Sequence, residues 1–174
     1  VPFIGLCLIV ADLARTARRQ WLIVLLLPIL AFATFQRNKI WFSHENFWTE
    51  VCEKCPANGR GRMNLAIAQL EQGRNAEALR NLLIAQNLLP ENYTEIYENL
   101  GLVYSALGDK NRAEAFFRKA IEVDHGSTPL ITYGEWLDTE NRIIEAAGIL
   151  YRARKLNPLD RSSSYRLQSI FGRA

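Results

Sequence analysis

Proline stands at position 90 and again at position 158, 68 residues later, and the same order of small and large side chains precedes both. That interval is two periods of about 34 residues, the length of a helix-turn-helix unit that cannot bury its own apolar face and must stack on copies of itself. In the first unit Leu65 and Ala66 make a large-small pair, Gly73 falls at the turn, Ala78 and Ala85 bracket Leu82 on the second helix, and Pro90 stops it. The second unit, 94–126, carries Tyr97, Leu100, Gly101, Tyr104, Gly108, Ala113, Phe117 and Ala120 in the same register. Here Asp124-His125-Gly126 replaces the proline, with Gly126 expected as a helix C-cap and His125 as a solvated turn residue. The third, 127–160, carries Leu130, Tyr133, Gly134, Leu137, Ala146, Leu150, Ala153 and Pro158. Asn141 replaces its turn glycine, because Asn also tolerates the left-handed conformation. The segment SSSYRLQSIFGRA then predicts a closing helix, capped by Ser162 or Ser163, that lays Leu167 and Phe171 on the last unit.

The pattern resembles the tetratricopeptide repeat, W-x2-L-G-x2-Y…A-x3-F…P. The first unit departs from it at Arg62, where Trp is usual, and at Gln69, where Tyr is usual. The resemblance implies an all-α solenoid in which the first helix of each repeat lines a concave groove. Its lining would be Arg60, Met63, Ile67, Leu70 and Glu71, then Glu95, Glu98, Leu102 and Ser105, then Thr128, Ile131, Glu135 and Asp138. The near end is apolar and the far end acidic, which suits a protein or peptide partner, best an amphipathic helix with basic residues, or a neighbouring membrane subunit. The clamp by which chaperone-binding relatives hold a terminal carboxylate needs Lys and Asn where this chain has Met63 and Ile67, so that ligand is not expected. The competing reading of the same face is ordinary solvated charge with scattered aliphatics.

Ahead of the repeats the composition changes. The run Trp21–Phe35 is uncharged, with Arg18 and Arg19 before it and Arg37 and Lys39 after it. A spanning helix needs about 17 to 25 apolar residues, and flanking basic side chains can snorkel to the interface. Pro28 would destabilise a soluble helix interior by about 3 kcal/mol but is tolerated in membrane helices. The other reading is a buried core helix. Upstream, the eleven residues VPFIGLCLIVA before Asp12 are too few to span alone and would be the far half of another membrane helix. The chain opens on Val1 within an apolar run, as a fragment or a processed product would. Arg15, Arg18 and Arg19 in the connector place it on the cytoplasmic side and send the residues after Phe35 to the extracytoplasmic, periplasmic or lumenal, side. The expected organisation is thus a transmembrane helical hairpin over 1–40, a junction helix over 41–58, three repeats over 59–160 and a capping helix over 161–174.

The junction WFSHENFWTEVCEKCP reads as a half repeat, with Ser43 as N-cap, Phe47, Trp48 and Val51 as its apolar face, and Pro56 as its stop. Together with Arg37, Asn38 and Trp41 it resembles the junction in TMTC-type membrane proteins, which are related to protein O-mannosyltransferases. There the last membrane helix leads through an Arg-Asn-x-x-Trp segment into extracytoplasmic tetratricopeptide repeats. The resemblance implies that this chain corresponds to the carboxy-terminal part of such a protein, and that any transferase site lies upstream of Val1. The rival expectation is a small accessory subunit of a larger membrane complex.

Cys52 and Cys55 would lie on one helix face with α-carbons about 5 Å apart, which a disulfide can span in an oxidising compartment. The leading reading is that they are cysteines without function, with a local disulfide as the alternative. Haem attachment would need His where Pro56 stands, and zinc would need more ligands than His44 can supply from about 12 Å up the helix. Cys7 reads as a small apolar membrane residue. Two His, no paired carboxylates in a foreseeable pocket, no phosphate loop and no nucleophile motif leave no catalytic residue, metal ligand or cofactor site to name. A net charge of +3, with bases scattered among acids, does not point to nucleic acid.

Overall fold

The computed structural model of the protein describes residues 20–38 and 43–172. Within them every regular element is a helix: α1 Gln20–Asn38, α2 His44–Lys54, α3 Gly59–Glu71, α4 Asn75–Leu88, α5 Thr94–Ala106, α6 Lys110–Val123, α7 Ser127–Thr139, α8 Ile143–Leu156 and α9 Arg161–Phe171. The chain divides into two compact units, Val1–Phe47 and Trp48–Ala174, so the boundary falls inside α2.

In the first unit, α1 is a 19-residue helix that runs through Pro28. Leu27, Ile29, Phe32 and Phe35 on it are all more than half exposed. Among the described residues no helix is long and apolar enough to cross a membrane. The first half of the expected hairpin, its arginine connector and Trp41 lie outside the described residues. Ser43 opens α2: its carbonyl accepts from the Phe47 amide at 3.1 Å and its hydroxyl from the Asn46 amide at 3.5 Å.

The second unit is a stack of helix pairs, α3 with α4, α5 with α6 and α7 with α8, closed by α9. All three pairs turn by the same chemistry. Gly73, Gly108 and Asn141 adopt φ of 75°, 82° and 59°, the left-handed region that the turn requires and that Asn reaches at little cost. The following amides, of Arg74, Asp109 and Arg142, each donate at 2.9 Å to the carbonyls of Gln69, Tyr104 and Leu137. Pro90 and Pro158 each stand two residues beyond the last residue of a second helix, which places them equivalently.

Packing obeys the small-large-small rule read from the spacing. Ala78, Leu82 and Ala85, then Ala113, Phe117 and Ala120, then Ala146, Leu150 and Ala153 are each 1% exposed or less. Alanines let the helix axes approach, and the large central residue fills the space against the facing first helix. On that facing helix a Cβ at Gly101 would come to 2.8 Å from the Phe117 ring, and one at Gly134 to 2.7 Å from Leu150 Cγ. Ala66 occupies the same place in the first pair and is 1% exposed.

The departures at Arg62 and Gln69 form one network. Asn81 Nδ2 donates to Gln69 Oε1 at 2.8 Å, Arg62 Nη1 to Asn81 Oδ1 at 3.3 Å and Gln69 Nε2 to Glu77 Oε2 at 3.4 Å. Two aromatics are thus replaced by polar side chains that bond across α3 and α4, as burial of Gln69 demands, although Arg62 Nε stays buried without a partner. A second network ties the second repeat to the third. Glu114 accepts from Arg142 at 2.6 Å, from Arg118 at 2.7 Å and from the Tyr133 hydroxyl at 2.8 Å, and these donors hold its carboxyl down to about 2. Because folding lowers this pKa, the stabilisation is complete above the ordinary value of 4.5 and is lost as pH falls toward 2. Glu114→Gln is expected to cost about 1–3 kcal/mol in urea unfolding at neutral pH and to flatten the loss of stability between those two pH values.

Three terminal details differ from expectation. Gly126 is the N-cap of α7 and not a C-cap, because α6 already ends at Asp124, whose Oδ1 accepts the Gly126 amide at 2.8 Å. Asp160, in place of Ser162 or Ser163, caps α9, its carboxylate accepting both serine amides. With that start, Ser163, Leu167 and Ile170 form the buried stripe and Phe171 is 68% exposed. The i+3 neighbour of Leu167 is covered in place of the i+4 one.

Candidate acidic groove on the first helices

The first helices α3, α5 and α7 pack side by side and carry the face expected to meet a partner. The structure sorts the named residues into three groups. Met63 is 6% exposed and belongs to the core, which removes it from any groove surface. Ile67, Leu70 and Ile131 are half-buried against that core, while Leu102 is 39% exposed. Two polar residues are already engaged: the Ser105 hydroxyl accepts from Trp136 Nε1 at 2.9 Å, and Glu135 pairs with Arg166 at 2.7 Å. Arg60 stacks its guanidinium 5.1 Å from the Tyr93 ring centre. Glu71 is exposed and Asp138 half-buried.

Glu95, Glu98 and Thr128 come together with residues that the spacing did not single out. With Asn92, Tyr93 and Asp124 they bound a cleft of about 290 Å³ between α5 and the loop leading into α7. Glu98 carries the strongest signal. One of its carboxylate oxygens is buried without a hydrogen-bond partner, and its pKa is pushed up to about 7 by burial and by the neighbouring charges of Glu95 and Asp124. The Thr132 hydroxyl works against this rise. Tyr93 is raised as well, chiefly by its hydrogen bond to Glu95. A carboxyl raised by burial and by two neighbouring acids marks a site whose electrostatics improve when a cation arrives. Among the described residues no three His, Cys, Asp or Glu converge closely enough to hold a metal ion. Asp124 and Tyr93 went unread because they lie in the loops between repeats; the only trace of Asp124 was that it begins the segment replacing a terminal proline.

Cys52 and Cys55 are both free thiols. The helix ends at Lys54, so Cys55 leaves the helical face: Cys52 is buried, with burial pushing its thiol up, and Cys55 is exposed.

Residues 59–125 match the tetratricopeptide repeat family model. The chain is similar to the protein O-mannosyl-transferase TMTC1 of Mus musculus, 31% identical over 64% of this chain, and to that of Homo sapiens, 33% identical over 45%. These matches span 11% and 9% of those relatives' length. Among solved structures, a thermophilic TPR protein of Thermus thermophilus superposes with a TM-score of 0.67 at 24% identity, over 74% of this chain and 71% of that one. YrrB, a TPR protein with an unusual peptide-binding site, superposes with a TM-score of 0.54 at 20% identity, over 72% of this chain and 65% of that one. The repeated pairs, their shared turns and these likenesses agree: residues 59–125 are tetratricopeptide repeats, in a chain that resembles the carboxy-terminal region of TMTC-like proteins.

Proposed function

We propose that the repeats form an extracytoplasmic scaffold, anchored in a membrane through the amino-terminal segment, whose acidic groove receives a basic amphipathic helix of a protein partner. The observation that carries the ligand chemistry is the cleft of Glu95, Glu98 and Asp124, where a buried, unpartnered carboxylate oxygen awaits a donor. Tetratricopeptide stacks take peptide or protein partners, and the aliphatic strip of Ile67, Leu70 and Leu102 offers the apolar half of such a contact. The anchoring is supported by the uncharged run Trp21–Phe35 with basic residues at both ends and by the exposed Leu27, Ile29 and Phe32 of α1. The likeness to TMTC1 supports reading this chain as a partner-positioning part of a glycosyltransferase-related protein.

A lysine-rich amphipathic helical peptide, titrated into the full chain and monitored by fluorescence anisotropy, is expected to bind this groove. Folding raises the Glu98 pKa, so the carboxyl is neutral at pH 6 and ionised at pH 8. If the lysine contact needs the ionised form, affinity rises by about tenfold across that interval. The double variant Glu95→Gln, Glu98→Gln is expected to bind weakly and without this pH dependence. Unchanged affinity in that variant would overturn the ligand reading.

Orientation is tested on the exposed thiol. A membrane-impermeant maleimide applied to intact cells is expected to label Cys55, and the label is expected to vanish in Cys55→Ser. Labelling that appears only after lysis, beside an exported positive control that labels throughout, would place the repeats on the cytoplasmic side.

A further inference from the structure

Asn92-Tyr93-Thr94 is the acceptor pattern for an N-linked sugar, an asparagine followed two residues later by a hydroxyl side chain with no proline between them. No other asparagine of the chain has Ser or Thr at that spacing. Three residues are a short motif, so their place in the fold decides what they can do.

The fold puts them in the turn between the first and second repeats. α4 ends at Leu88, the Tyr93 amide donates to the Pro90 carbonyl at 2.9 Å, and Thr94 opens α5. That bond closes a turn with Glu91 and Asn92 at its centre, and Asn92 is exposed. Its side-chain amide has no hydrogen-bond partner among the described residues.

The polar residues at the other junctions are all employed. Asn58 Oδ1 accepts the Gly61 amide at 2.9 Å, Asp124 Oδ1 accepts the Gly126 amide at 2.8 Å, and the Asp160 carboxylate accepts the amides of Ser162 and Ser163. Asn92 is spared because it stands one residue ahead of the N-cap of α5, which is Tyr93. Within the repeats Asn75 and Asn99 donate to backbone carbonyls and Asn81 to Gln69. A group attached at Asn92 Nδ2 therefore breaks no bond of the fold. There is also space for it: an open cleft of about 670 Å³ adjoins Asn92, and Gln86, Asn87 and Lys119 bring to its walls the amides and the ammonium that sugar hydroxyls can bond.

We infer that Asn92 is an N-glycosylation site. This rests on the extracytoplasmic placement of the repeats proposed above, the side on which a membrane oligosaccharyltransferase meets its lipid-linked donor. In the transfer, Asn92 Nδ2 bonds to C1 of the first sugar of an oligosaccharide carried on a lipid pyrophosphate. The C1–O bond to the pyrophosphate breaks, the lipid pyrophosphate leaves with the electron pair, and one amide proton passes to a base of the transferase. Nothing is oxidised or reduced. Thr94 contributes its hydroxyl, so serine can replace it and alanine cannot.

The test uses the full chain recovered from the membranes of cells that make it. Trypsin releases residues 81–110 as one peptide, bounded by Arg80 and Lys110, with Asn92 inside it. Mass spectrometry is expected to find that peptide bearing a glycan, and amidase release in heavy-oxygen water is expected to convert Asn92 to a labelled aspartate. Asn92→Gln and Thr94→Ala are expected to lose the glycan, and Thr94→Ser to keep it. Sealed vesicles of the same membranes, cytoplasmic face outward, report the placement separately: Cys55 is expected to react with an impermeant maleimide only after detergent is added. A protected Cys55 together with a bare peptide 81–110 would overturn this inference and leave the placement standing. Reaction of Cys55 before detergent would overturn the placement and the inference with it. A glycan that persists in Asn92→Gln would put the modification on another residue and overturn the assignment to Asn92.

Discussion

Truncating Phe117 to alanine is expected to lower the stability of the repeat stack by about 3–5 kcal/mol, a large part of the 5–15 kcal/mol typical of a domain. The ring is fully buried, 5.3 Å from the Trp136 ring and 6.1 Å from the Tyr133 ring, both in the next repeat. It also closes over Gly101 within its own repeat. One side chain therefore serves two interfaces, and a solenoid is stable only as the sum of its repeats and the interfaces between them. Urea unfolding monitored by circular dichroism should show the loss. Hydrogen exchange should show α5 to α9 losing protection together, because the contact to the third repeat goes with the contact inside the second. A loss below about 1 kcal/mol, or protection lost in α5 and α6 alone, would mean that the ring does not couple the repeats.

Gly101→Val is the second large effect, expected to cost about 1–3 kcal/mol or more by overpacking. A Cβ at that position would sit 2.8 Å from two ring carbons of Phe117, and the ring cannot retreat because Tyr133 and Trp136 lie behind it. Alanine is expected to cost less than valine, since it adds one carbon to that contact where valine adds three. The same ranking is expected at Gly134, where the neighbour is Leu150 Cγ at 2.7 Å. Thermal melts of the alanine and valine variants test this. Equal melting temperatures in the two would show that the helices, and not the ring, yield.

Both predictions concern positions that the spacing alone identifies. The left-handed turn residues and the alanine-flanked second helices repeat a local rule, so a period is enough to place them. Asn141 at φ 59° shows how far this goes, because the turn demands a backbone conformation and any residue that tolerates it satisfies the pattern. The aliphatic character of the inner strip was readable for the same reason, since Ile67, Leu70 and Leu102 stand at fixed positions in the repeat.

What failed to appear in the sequence was whatever depends on two segments meeting. Met63 had the right spacing for the groove yet is closed into the core, because burial is decided by what packs across from a residue. Arg62 and Gln69 looked like flaws in a pattern until Asn81 and Glu77, on the opposite helix, supplied their partners. Phe171 and Ile170 are adjacent in the chain, and only the start of α9 at Asp160 settled which of them turns inward.

The linear order of residues, then, determined that helices form in pairs, where each pair turns and which side chains lie between its members, because those are contacts within a few turns of chain. The tertiary structure alone decided that Glu95, Glu98 and Asp124 share one cleft, that Glu114 binds the next repeat, and that Gln69 of α3 meets Asn81 and Glu77 of α4. Each of these brings together side chains from different elements, and a carboxylate's desolvation and its neighbours' charges exist only once those elements have packed.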